Sequence, residues 1–118
     1  MSICRNYYVI AGYDLTAYKT DKYEEWKWSA SYEIMICNQI KGKVQIFDDP
    51  MCGDYLYLGY ILAAGDQYDF ETSMFSESDI RFKESEVYAE LHYLMKHGII
   101  SDEAYTIPYK IIVFEECT

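Results

Sequence analysis

Every even-numbered position from Trp26 to Ile36 holds an aromatic or apolar residue (Trp26, Trp28, Ala30, Tyr32, Ile34, Ile36). Lys27, Ser29, Ser31 and Glu33 fall between them. Side chains of an extended chain alternate between two faces, so this period of two predicts a half-buried strand. A helix would scatter the same six residues around its circumference.

Asn6–Leu15 (NYYVIAGYDL) is dense in β-branched and aromatic residues and reads as a first strand. The stretch 16–24 between it and the alternating segment is polar and turn-like. Gly42 turns the chain into Lys43–Asp48, which forms a hairpin with the strand before it. Asp48-Asp49-Pro50 and Cys52-Gly53-Asp54 make a loop. Tyr55–Ala63 (YLYLGYILA) is apolar on both faces, as expected of a central strand covered on both sides. Tyr68 and Phe70 alternate with Asp69 and Glu71 in a short amphipathic strand, and Tyr109–Glu115 is the last strand.

Glu84–His97 has a different period. Val87, Leu91, Leu94 and Met95 recur at helical spacing, acids stand at its start, and Lys96, His97 and Gly98 suit its end. The fold expected is one α+β domain over residues 1–118. It has a mostly antiparallel sheet of five or six strands and one amphipathic helix on one face. A small curved barrel plugged by the helix is the alternative. Trp26 and Trp28 are expected to pack against the helix.

Composition narrows function by exclusion. A 118-residue chain that is 51% hydrophobic buries enough surface to fold without a staple. No apolar run reaches the roughly 18 residues of a membrane helix, and Met1–Ala11 lacks the pattern of a signal peptide. A cytoplasmic location, reduced thiols at Cys4, Cys37, Cys52 and Cys117, and no membrane partner are the expectations. The net charge of −10 argues against direct nucleic-acid contact, which needs a basic footprint.

Motifs for chemistry are absent. Neither a glycine-rich phosphate loop nor a zinc signature occurs, and no cofactor is expected. His92 and His97 lie five apart on the expected helix and point in different directions. Asp48, Asp49 and Asp54 crowd one loop, but their spacing fits no calcium loop and suits turn formation. No metal site and no catalytic residue is assigned, and the chain is expected not to be an enzyme.

Two features point to binding. Charge is uneven: residues 1–60 hold 8 acids and 6 bases, residues 61–118 hold 12 acids and 4 bases. Asp69, Glu71, Glu77, Asp79, Glu84, Glu86 and Glu90 concentrate in one stretch, and Glu86 and Glu90 stack at i,i+4 despite their mutual repulsion. The other feature is 14 tyrosines, too many for so small a core, so several should be exposed as contact residues.

In size, charge and aromatic content the chain resembles phage-encoded inhibitors of bacterial defence, notably DNA-mimicking anti-CRISPR proteins. The resemblance spans the whole chain and carries no diagnostic motif. It implies that the seven carboxylates imitate phosphates and occupy the basic groove of a nuclease or other DNA-binding protein. A homo-oligomeric assembly protein pairing through its first or last strand is the rival reading. A small ligand-binding domain using Asp48, Asp49 or Asp54 is another.

Overall fold

The computed structural model describes residues 5–27, 42–48, 55–66 and 76–117. Four antiparallel strands form the sheet among these residues: β1 (Arg5–Asp14), β2 (Val44–Asp48), β3 (Leu56–Asp66) and β4 (Lys110–Cys117), in the order β2-β3-β1-β4. Three helices accompany them, α1 (Lys22–Lys27), α2 (Glu77–Arg81) and α3 (Glu84–Lys96), with 3-10 turns at Thr16–Tyr18 and Asp102–Thr106.

Alternation along the strands sorts the core into two faces. Ala11, Tyr13 and Leu15 join Leu56, Leu58 and Tyr60, and Val87, Leu91 and Leu94 of α3 cover that face. Ile10 meets Phe47, Ile61, Ile112 and Phe114 on the opposite face, where Tyr8, Tyr55 and Tyr57 pack around the Phe114 ring at 5.0 to 5.4 Å. β3 is therefore buried on both sides, as its unbroken apolar run requires. A bulge breaks the β1–β3 register between Val9 and Ile10, which pair with Ala63 and Ile61. Leu62, left without an opposite residue, turns into the helix-side cluster while Ile61 and Ala64 stay on the other.

Gly12 and Gly59 face each other across β1 and β3. A Cβ on Gly12 would lie 1.9 Å from the Leu58 carbonyl oxygen, and one on Gly59 would lie 2.4 Å from that of Ala11. The two strands approach so closely there that only glycine fits.

The expected strands over Asn6–Leu15, Lys43–Asp48, Tyr55–Ala63 and Tyr109–Glu115 correspond to β1, β2, β3 and β4, and the expected helix to α3. Three expectations are corrected. Residues 16–24 are not a simple turn: they form a 3-10 turn and the start of α1. Trp26 and Lys27 close that helix rather than open a strand, because Tyr23 and Trp26, three apart, both reach the helix-side core. β1 is interior, so among the described residues only β4, of the first and last strands, lies at an edge. The remainder of the alternating segment, including Trp28, and the strand expected around Tyr68–Glu71 fall outside the described residues.

Candidate functional site

Seven of the fifteen described acids lie in the chain between β3 and β4, and local chemistry fixes where several of them go. Ser76 caps α2: its hydroxyl accepts from the Asp79 N–H at 3.3 Å, and the Asp79 carboxylate accepts from the Ser76 N–H at 2.8 Å. This reciprocal box starts the helix. Five residues later Phe82 and Lys83 form an elbow, and α3 begins at Glu84. Arg81 bridges the elbow, at 3.4 Å from Glu77 and 3.1 Å from Glu84. Hydrogen bonding to Glu84, then to Glu77, raises its pKa further.

Two tyrosines hold the elbow on the sheet. The hydroxyl of Tyr60, from β3, lies within hydrogen-bond reach of the carbonyls of Asp79 and Ile80 and donates its one proton to either or shares it between them. The hydroxyl of Tyr109, just before β4, donates to Ile80 as well. These carbonyls lie in the last turn of α2, where a helix leaves acceptors open; that of Asp79 also accepts from the Phe82 N–H at 3.4 Å. Burial raises the Tyr109 pKa well above its ordinary value, and contact with Tyr60, Glu84 and Tyr13 adds to the rise. Burial, followed by Glu84 and Tyr88, raises Tyr13, whose ring meets Tyr109 edge-on at 5.5 Å.

The five described members of the acidic set divide into two groups. Glu77, Asp79 and Glu84 stand with Arg81 or in the α2 cap. Glu86 and Glu90 make no ion pair or hydrogen bond among the described residues. At 100° per residue Glu84 and Glu86 lie about 160° apart around α3. Glu84 is on the flank over Tyr13 and Tyr109, and Glu86 is on the flank toward β2. The set is therefore not one continuous patch. Asp69 and Glu71 fall outside the described residues.

On the β2 flank, Gly42, Lys43, Val44, Tyr60, Phe82, Lys83 and Glu86 line an open groove of about 570 Å³. Phe82 forms its rim and is 77% exposed, the most exposed large apolar side chain among the described residues. Sequence reading passed over it, although an aromatic between two helices, flanked by Arg81 and Lys83, offers no periodic core position. Of the tyrosines, Tyr88, Tyr93 and Tyr105 are exposed, while Tyr13, Tyr23 and Tyr60 are buried.

Asp48 has a structural position. Its side chain is 3% exposed, accepts from the Tyr23 hydroxyl at 2.7 Å and pairs with Lys27 at 3.0 Å, which fastens α1 to β2. Asp49 and Asp54 lie outside the described residues. His92 and His97 are exposed on α3, the latter with its ring 4.3 Å from that of Tyr93. Among the described residues no three His, Cys, Asp or Glu side chains converge on a metal-sized site, and no helix is long and apolar enough to cross a membrane.

Comparison with protein-family models, with curated proteins and with solved structures finds no match to this chain.

Proposed function

We propose that this chain acts by binding another protein through the α2–α3 face, without catalysis of its own, and that the partner presents a basic, DNA-binding surface. The observation that carries the reading is Phe82. An aromatic side chain left 77% exposed at a helix elbow matches the anchor of a protein interface, where one buried aromatic ringed by polar contacts supplies most of the affinity. Burying it contributes about 2 kcal/mol. Glu86 beside it, Glu90 one turn on, and the net charge of −10 supply attraction to a basic partner and steer its approach.

The finer form of the proposal is inhibition: the acidic face occupies the DNA-binding groove of a nuclease, in the manner of DNA-mimicking anti-CRISPR proteins. Glu86 and Glu90 are the main phosphate substitutes. Glu77, Asp79 and Glu84 set the elbow and contribute field, and Asp69 and Glu71 extend the acidic stretch in sequence.

The test is capture from bacterial lysate at low and high salt with the wild-type chain, Phe82→Ser and the pair Glu86→Lys with Glu90→Lys. Basic DNA-binding proteins should be retained at low salt, released at high salt, and lost from both variants, because exposed charges are screened. A purified captured nuclease should then be inhibited by the wild-type chain alone. Retention indifferent to salt and to both variants rejects the reading.

A further inference from the structure

We infer that a cleft at the Asp14–Lys110 end of the sheet binds a small aliphatic amino acid as its zwitterion. Gly12 pairs with Lys110, so Asp14, two residues further along β1, lies diagonally from Lys110. Alternation puts both on the face that carries Ile10 and Ile112. Both line one cleft of about 270 Å³. Thr16, Ala17 and Tyr18, in the first 3-10 turn, form one wall, and Ile107 and Pro108, after the second, form another. Backbone bonds hold these walls in place. The Ser101 N–H donates to the Tyr18 carbonyl at 2.8 Å and ties the two turns together. The Leu15 N–H donates to the Leu56 carbonyl at 2.8 Å and ties the first turn to β3, while the Pro108 ring locks its own φ.

Charge and size select the ligand. The Thr16 N–H and hydroxyl both donate to Oδ1 of Asp14, at 3.0 and 2.6 Å, which orients the carboxylate. Its Oδ2 makes no hydrogen bond among the described residues, and neither Asp14 nor Lys110 makes an ion pair among them. Diagonal neighbours on a sheet stand about 7–8 Å apart, a span that one molecule carrying both charges bridges. Its ammonium donates to Asp14 Oδ2, and its carboxylate accepts from Lys110 Nζ. A lone cation would meet Lys110 as a like charge, and a lone anion would meet Asp14; a zwitterion meets neither penalty. Ala17, Ile107 and Pro108 supply apolar surface for a short aliphatic side chain. Sites for drug-sized ligands begin at about 300 Å³, so this cleft takes something smaller. It shares no residue with the Phe82 groove, and the two proposals stand or fall separately.

The test is a titration of L-valine into the isotope-labelled full chain, followed by amide chemical shifts and calorimetry. Shifts that saturate in the millimolar range should centre on residues 14–18 and 107–110. N-acetylvaline lacks the ammonium and valinamide lacks the carboxylate; each should bind about fivefold more weakly, the range of an ion pair open to solvent. Lys110→Met changes an exposed side chain, so circular dichroism should be unchanged. That variant should bind valine about fivefold more weakly and no longer tell valine from valinamide. Asp14→Asn keeps an acceptor for Thr16 and should no longer tell valine from N-acetylvaline. The absence of saturable shifts at these residues overturns the inference. N-acetylvaline binding as tightly as valine would mark a plain anion site, and valinamide doing so a plain cation site; either result overturns it. Unchanged preferences in both variants do the same.

Discussion

Replacing Gly12 with alanine forces a methyl group to within 1.9 Å of the Leu58 carbonyl oxygen and still closer than ordinary contact to the Gly59 Cα, at 2.6 Å. A carbon–oxygen contact normally settles near 3.3 Å, so β1 and β3 must part locally by about 1.4 Å. The obstruction is backbone, which cannot swing aside as a flexible side chain can. Separation of that size breaks two or three ladder hydrogen bonds at about 1 kcal/mol each, and residual strain adds to it. The expected cost is about 3 kcal/mol or more, against a total stability of about 6 to 18 kcal/mol for a chain this long. With a urea dependence of about 1.5 kcal/mol per M, the unfolding midpoint should fall by about 2 M, read by tryptophan fluorescence and circular dichroism. Gly42→Ala is the control: Gly42 has φ +82° with nothing within 4 Å of the added carbon, so only backbone strain of about 1–2 kcal/mol is expected. A Gly12→Ala midpoint no lower than that of Gly42→Ala refutes the close-approach argument.

Asp48→Asn should lower stability by about 1.5 to 3 kcal/mol by weakening the hydrogen bonds of a buried carboxylate, seen as a lower Tm, and joint replacement as Lys27→Met with Asp48→Leu should recover part of the loss. Tyr60→Phe and Tyr109→Phe should each cost about 1 kcal/mol in urea unfolding. Together they should cost more than their sum, because the Ile80 carbonyl loses its second donor only in the double variant. Burial raises Tyr13, Tyr57 and Tyr109 in the folded chain, so the unfolded tyrosines ionise first, near pH 10. Stability from these groups is therefore complete below pH 10 and lost as pH climbs beyond it; the urea midpoint should drop steeply above pH 10, and less so in Tyr109→Phe.

Hydrophobic period makes the four described strands and the long helix legible in the sequence. Tyr55–Ala63 showed its two-sided burial in an unbroken apolar run, and Val87, Leu91 and Leu94 marked the covered stripe of α3. Strand order was hidden, because nothing local in β1 records that its partners are β3 and β4. At α1, local pattern gave way to tertiary contact. Trp26 and Lys27 fit a period of two as well as a turn of helix, and the bonds of Tyr23 and Lys27 to Asp48 fix the helix. α2 was signalled by Ser76 and Asp79 at capping-box spacing, a cue masked by the shortness of the helix behind it. Of the acidic set, sequence gave membership but not arrangement: the elbow at Phe82 and Lys83 sets Glu77 and Glu84 around Arg81 and turns Glu86 away from them.

The central position of β1 also governs how the chain assembles. During synthesis Arg5–Asp14 emerges first, yet the strands on its two sides are Leu56–Asp66 and Lys110–Cys117. Until those segments leave the ribosome, an aromatic-rich strand waits with both edges bare, a target for chaperones and for premature aggregation. Ladder formation between segments some fifty and a hundred residues apart pays a large loop-closure entropy before any contact rewards it, which places this chain among slow folders. β4 is the last of the four strands to arrive, so the second edge of β1 stays bare until it docks.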